Sequence, residues 1–537
     1  MTQTTGREPD GTVPTGLKRE AIVPAPSGAT VRTAAPQGRR PRLDRLDRLE
    51  ERGYELLARP WRAEALVALI CVTVFSWWVG RPSPWWDEAV TRDVTSRPTS
   101  EILDLTEHVD LVHASYYLLV HGLLGASATI TPIRLLSVAA ATVTGVLLVR
   151  LGRELGSGRV GFLAGLLWVV APLASRYAQE ARPYAMVAMM ATASTLALVR
   201  VCRKPWRRTR WAVYGVCLVG LGLFNVIGLT LLASHVCYVL ATSARRVRLR
   251  WYLSAGLAVA LLSPLLYFSS QQSAQVAWLP VPALNRLYGF FQAEYEVTWA
   301  LVALLVLAFA GIGRGTHNPA LALGLTWSVL PPVLLWTVSQ VHPLYDWRYV
   351  FFTVPGTALA LASLATLLRA RFVVVMLLVL TIGGAHMQSV YRWRATGHAE
   401  NLRGVAEVIE QGARPGDAVI FLPSSRRVVK LAYPDAFTKV DDVALAETGE
   451  QSDTLFGVEE PTPEISKALR KVTRVWVVTS NARLGETAQD KPETDKERLL
   501  YDHFRVTGME DLGSYQVELY QRSSKEAGIV TTGSASS

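Results

Sequence analysis

Cysteine is scarce in this sequence, with four in 537 residues, at positions 71, 202, 217 and 237. Three fall inside apolar runs and one beside a basic loop, so neither a disulfide framework nor a zinc-ligand spacing is present. Lysine is also rare: nine of the 55 basic residues are lysine and the rest arginine, a matter of composition and not of function. No cleavable leader is expected. The first sixty residues are polar and Arg-rich, and the first apolar run has no small-residue cleavage site after it, which is the pattern of a signal anchor. The apolar runs hold no acidic or basic side chain apart from the imidazole of His235. A transporter coupled to ions or protons places ionisable groups near the midplane, so this absence weighs against transport.

Apolar sequence is what the chain has most of. Half its residues are hydrophobic and the mean hydropathy is +0.23, which points to a polytopic α-helical membrane protein. Runs at 65–79, 135–149, 160–174, 185–199, 211–224, 226–241, 251–268, 299–312, 320–338, 350–368 and 372–384 predict about eleven crossings. Several fall short of the roughly 20 residues a crossing needs, so flanking Arg and Trp must extend them. The runs at 211–224 and 226–241 are read as two spans, because one helix of that length would reach about 45 Å. Gly222, Asn225 and Gly228 offer the turn between them.

Arginine-rich loops alternate with loops of the other kind. The first set comprises Arg150, Arg153 and Arg159, residues 203–210 and 245–250, Arg314, and Arg369 with Arg371. The second set comprises 80–132, 175–184, 224–226, 269–298 and 339–349. The positive-inside rule then sets the N-terminus in the cytoplasm and the residues after 385 outside a cell membrane. The net charge of +11 divides into about +15 before residue 391 and about −4 after it. Such charge orients spans and does not imply a nucleic-acid partner.

The regions are expected as follows. Residues 1–40, rich in Thr, Pro, Gly and Arg, read as disordered. Residues 41–62 repeat Leu among charges, as an amphipathic helix on the inner membrane surface or a merely solvated one. Residues 63–388 form the membrane part. Residues 391–523 read as a small extracytoplasmic α/β domain, with helices near 400–412 and 496–504, strands at AVIFLP and VTRVWVVTS, and an edge strand at YQVELYQR. Residues 524–537 read as a loose end.

With that topology, the polar clusters collect on one face. They are Asp87 and Glu88 in WWDEA, Asp110, His113, Tyr116 and Tyr117 in DLVHASYY, Gln179, Glu180, Arg182 and Tyr184 in AQEARPYA, and Tyr345, Arg348 and Tyr349 in PLYDWRYVFFTVP. Trp85 and Trp86 suit either an interfacial aromatic belt or stacking on a sugar. In this order and on one side, these motifs resemble the GT-C class of membrane glycosyltransferases. The similarity lies in the group related to glycosyltransferase family 39 that holds protein O-mannosyltransferases and the aminoarabinose transferases of lipid A. It covers roughly residues 60–400. Where relatives often carry two prolines, this chain has Ala114 and Ser115.

The resemblance implies a GT-C fold and a polyprenyl-phosphate-linked sugar donor, with mannose the candidate sugar. Transfer would occur outside the membrane, with inversion, to a hydroxyl of a lipid or glycan acceptor. A protein acceptor is the alternative within enzymes, and a lipid-linked sugar transporter or flippase the alternative outside them. Such a transfer needs one carboxylate to take the acceptor proton, and cations for the leaving phosphate. By match to the family, Asp87 is the base and Glu88 its rival. Arg348 and Arg182 are the candidate phosphate clamps, since a guanidinium forks onto phosphate oxygens. Asp110 and His113 would orient the acceptor or the base. Together with Asp87 they are the side chains that would hold a divalent cation if the reaction takes one. Glu180 either pairs with Arg182 or touches substrate.

Overall fold

A computed structural model describes residues 59–272, 279–296, 318–480 and 495–523. The expectations for 1–40, for most of 41–62, for the run at 299–312 and for 524–537 lie outside these residues.

Every other predicted run falls on helical structure. The helices are α1 (Pro60–Ser76), α2 (Trp86–Ser96), α3 (Thr99–His108), α4 (Ala114–Leu124), α5 (Ile130–Leu155), α6 (Gly158–Val170), α7 (Pro172–Ala178), α8 (Tyr184–Arg203), α9 (Arg208–Phe224), α10 (Leu232–Thr242) and α11 (Arg245–Gln271). They continue with α12 (Leu284–Ala293), α13 (Pro319–Val338), α14 (Trp347–Val350), α15 (Val354–Ala365) and α16 (Ala370–Val390). By length and composition six of the described helices suffice to cross a membrane, or seven when α6 and α7, bent by 68°, count as one. The expected count of eleven includes the run at 299–312, which lies outside the described residues; among the described ones, other runs fall short of a full crossing. Helices α1 and α9 stop at 17 residues, and the run at 226–241 opens as a 3-10 turn, Val226–Leu231, before α10. Asn225 makes that turn by accepting the Ile227 N–H at 2.9 Å.

Small residues let the inner helices meet. A side chain at Gly152 of α5 would come within 2.6 Å of the Gly161 Cα of α6, so only glycine permits this approach. Deeper in, His235 of α10 lies 3.1 Å from Thr195 of α8 and 3.0 Å from Tyr214 of α9, while the Trp251 indole of α11 donates to Tyr214. That is interhelical hydrogen bonding, the ordinary use of a polar group among packed spans. Along α11 and α16, Leu253, Leu257, Leu261, Val375, Val379 and Ile382 face outward. In water such a surface would be unfavourable; against acyl chains it is not.

After α16 come α17 (Leu402–Gly412) and a five-stranded sheet in the order β2-β1-β5-β7-β6. The strands are β1 (Asp417–Leu422), β2 (Val440–Asp442), β5 (Arg474–Ser480), β6 (Phe504–Asp511) and β7 (Tyr515–Arg522), with β3 (Leu445–Glu447) and β4 (Val458–Glu459) as a separate pair. β1 pairs parallel to β2 and β5, while β7 runs antiparallel to β5 and β6. Strand alternation sends Val419, Phe421, Trp476 and Val478 to the face packed with α17, and Ala418, Ile420, Val475 and Val477 to the other. β7 is therefore interior and not the expected edge. FRVTGMED supplies the outer strand β6, which its mixed composition concealed.

Candidate active site

The polar stretch at the start of α2 is fixed by its two acids. Asp87 and Glu88 stand in the first turn, where the helix dipole favours negative charge. Adjacent in sequence, they have different surroundings. Both Glu88 oxygens are occupied: Arg134 of α5 donates to Oε1 from Nε at 2.7 Å and to Oε2 from Nη2 at 2.6 Å. The Ala181 N–H donates to Oε1 at 2.7 Å, and His398 Nδ1 lies 3.1 Å from Oε2. Burial alone would raise the Glu88 carboxyl, but the Arg134 guanidinium, together with the hydrogen bond to His398, outweighs it and holds the group well below the usual carboxylate range. His398 is itself neutral, because burial, with Arg176 and Arg134 beside it, brings it down to about 3.

Asp87 meets two guanidinium groups instead. Arg348 Nη1, from α14, is 3.0 Å from Oδ2, and Arg182 Nε is 3.6 Å from the same oxygen. Arg348 also lies over the Trp85 ring at 5.4 Å and the Tyr349 ring at 5.3 Å, a cation–π setting. Its own helix is started by Asp346, which accepts the Arg348 N–H at 3.1 Å.

Asp110 joins through Tyr117. Its backbone is left-handed, with φ 59°, and it opens the short turn Leu111–His113. The Tyr117 hydroxyl donates to Asp110 Oδ2 at 2.8 Å and accepts from Arg182 Nη1 at 3.2 Å. A continuous path thus runs Asp110, Tyr117, Arg182, Asp87, Arg348. Burial raises the Asp110 carboxyl above its ordinary value despite Arg182 and Tyr117. His113 is buried and held neutral, first by burial and then by Arg182 and Arg348.

The other expected residues divide. Tyr116 is fully buried against Tyr117, and Tyr184 packs on Tyr177 and Tyr349. The amide of Gln179 is used within the fold, donating to Phe75 O at 2.7 Å and Trp77 O at 2.8 Å. Glu180, two residues beyond the end of α7, pairs with Arg176 at 2.9 Å and not with Arg182. Burial lifts Glu180 to about 7 against that pairing, with Glu88 and Asp87 nearby. Tyr345 is buried, with a hydroxyl that makes no hydrogen bond among the described residues. Among the described residues no three His, Cys, Asp or Glu side chains gather as a metal site; Asp87 faces arginines and Asp110 faces Tyr117.

Four participants escaped the sequence reading: Arg134, Arg176, His398 and Glu400. Arg134 and Arg176 carried a signal, since both stand at the ends of runs opposite the arginine-rich loops, against the charge rule. His398 and Glu400 lie in the plain polar stretch ATGHAEN and carried none.

The family profile described as dolichyl-phosphate-mannose-protein mannosyltransferase matches residues 114–268. No curated protein matches the chain. Among solved structures the chain is similar to ArnT from Cupriavidus metallidurans in the apo state, with 13% identity, a TM-score of 0.53, and 86% of this chain and 98% of that one covered. The same protein bound to undecaprenyl phosphate gives 13% identity and a TM-score of 0.51, covering 85% and 97%. The Archaeoglobus fulgidus oligosaccharyltransferase gives 12% and 0.42, covering 78% and 68%. The chain has the GT-C fold of ArnT, and its resemblance is to polyprenyl-phosphate-sugar glycosyltransferases.

Proposed function

We propose that this chain is a membrane glycosyltransferase that moves a sugar from a polyprenyl-phosphate donor to an acceptor hydroxyl, inverting the anomeric carbon. The observation that carries the reading is the meeting of one carboxylate, Asp87, with two guanidinium groups from distant segments, Arg348 and Arg182. Asp87 takes the acceptor proton as the hydroxyl oxygen bonds to the anomeric carbon. The bond from that carbon to the phosphate oxygen breaks, its electron pair staying on phosphate, and the two arginines receive the charge. Phosphate and Asp87 compete for the same guanidinium groups, so donor arrival frees the Asp87 carboxylate oxygen to meet the acceptor hydroxyl. Glu88, with both oxygens engaged, anchors the helix and leaves the proton to its neighbour.

Mannose is the candidate sugar, on the family match over 114–268. The acceptor is a lipid or glycan hydroxyl; a protein hydroxyl is the second reading, favoured by the description of that same family. The site face is outward and the N-terminus cytoplasmic. The far ends of α5, α8 and α11 carry Arg150, Arg153, Arg200, Arg203, Arg245 and Arg246, which supports this orientation.

The test uses purified protein in vesicles with radiolabelled undecaprenyl-phosphate mannose, following label into glycolipid, glycan or peptide and assigning the product anomer by NMR. Transfer that disappears in Asp87→Asn supports the reading. Undiminished transfer in that variant moves the base elsewhere, and no transfer from any polyprenyl-phosphate sugar overturns the reaction.

A further inference from the structure

The chain between α16 and α17 does more than connect them. Arg394 O accepts the Ser83 N–H at 2.8 Å, Ser83 Oγ accepts the Arg403 N–H at 3.1 Å, and Arg403 Nη1 donates to Arg81 O at 2.8 Å. This stretch is therefore sewn along the strand of chain that leads into α2. Two of its side chains go further. Glu400 Oε2 accepts the Trp86 N–H at 2.6 Å, and His398 Nδ1 meets Glu88 Oε2 at 3.1 Å. Trp86 is the first residue of α2, and its N–H is one of the donors a helix leaves unpaired at its start. Asp87 lies between the two residues so held.

Ala399, between His398 and Glu400, has φ 75°. A side-chain-bearing residue there is strained, and such strain persists only where the surroundings over-determine the backbone. Here the surroundings are the contacts on either side: His398, fully buried against Glu88 and Arg134, and Glu400, bonded to the helix start. A left-handed residue turns both flanking side chains toward the same helix turn.

We propose that His398 and Glu400 act as a clamp that positions Asp87 against Arg182 and Arg348. Neither touches the reacting atoms; both are positioning residues. The catalytic consequence rests on the assignment of Asp87 as base, whereas the mechanical one does not, and the two are tested separately.

Full-length protein in nanodiscs is compared as wild type, Glu400→Ala and Glu400→Gln. Hydrogen exchange is followed in peptides spanning 82–96, with thermal unfolding and the kinetics of undecaprenyl-phosphate mannose turnover alongside. Removing a charge-assisted bond at a helix start should speed exchange there about tenfold, with the melting temperature held, because the opening is local. The rate constant for turnover should fall about tenfold while KM for donor moves less than about twofold. Glu400→Gln keeps an oxygen acceptor and should return exchange and rate toward wild type. Unchanged exchange in Glu400→Ala overturns the clamp, as does faster exchange spread over the whole chain with a lowered melting temperature. Faster exchange at 82–96 in a chain whose Asp87→Asn variant still turns over keeps the clamp and removes the base assignment instead.

Discussion

Arg348 Nη1 lies 3.0 Å from Asp87 Oδ2, joining residues 261 positions apart. The pair has one carboxylate oxygen shared by a second guanidinium, that of Arg182. On the proposed reaction, the arginines meant for phosphate are thereby held on the carboxylate meant for the proton.

Asp87→Asn should therefore do two opposite things. Turnover should drop by about 10²–10⁴-fold, the usual contribution of a positioned base. Undecaprenyl phosphate should bind several-fold more tightly, because both arginines lose their competing carboxylate; fluorescence titration of the lipid reads this. Arg348→Ala should weaken the same binding.

Glu88 and Arg134 form a pair that is nearly inaccessible on both sides, at 0% and 1% exposure. Glu88→Gln or Arg134→Met alone strands a buried charge and should cost about 3–5 kcal/mol in thermal or denaturant unfolding. Glu88→Leu combined with Arg134→Met should cost less than either one alone.

Glu180 gives a pH dependence. Its folded pKa of about 7 stands above its ordinary value of 4.5, so the folded state binds the extra proton. The stability this contributes is complete below pH 4.5 and is lost as pH rises through 7, on the order of 3 kcal/mol in all. Melting temperatures of wild type should fall from pH 5 to pH 8 relative to Glu180→Gln. Parallel curves would show that Glu180 does not titrate there.

Tyr117→Phe removes the hydroxyl that links Asp110 to Arg182. The rate constant should fall by roughly tenfold, the scale of one lost bond to a charged group, while the fold is retained. Steady-state kinetics beside circular dichroism separates the two effects.

The orientation is checked by labelling. Glu107→Cys, at an exposed position of α3, should react with an impermeant maleimide in intact cells lacking Cys237. Reaction only after permeabilisation would invert the topology.

What the sequence disclosed follows from what local chemistry can encode. Helices such as α5, α8, α13 and α16 are written in continuous apolar runs, and α17 in the Leu402, Val405, Ala406, Ile409 stripe. The site motifs were legible because they gather ionisable residues where apolar ones prevail. Partner choice was not legible. Glu180 pairs with Arg176 and not with Arg182, and Glu88 finds Arg134 and His398 across 46 and 310 positions. Nothing local distinguishes Asp87 from Glu88; only the groups that surround them after folding do. The edge position of β6 was hidden for the same reason, since an exposed strand carries little apolar pattern.

The separation of 310 positions from Glu88 to His398 also sets an order of biosynthesis. A ribosome threading this chain into the membrane releases the acidic turn early, Arg134 and Arg182 next, Arg348 after most of the helices, and His398 with Glu400 last of all. During that interval the nascent chain has carboxylates without their full complement of partners and no assembled pocket. The helix turn that carries Asp87 thus gains its last contacts only when residues 398–400 have been made.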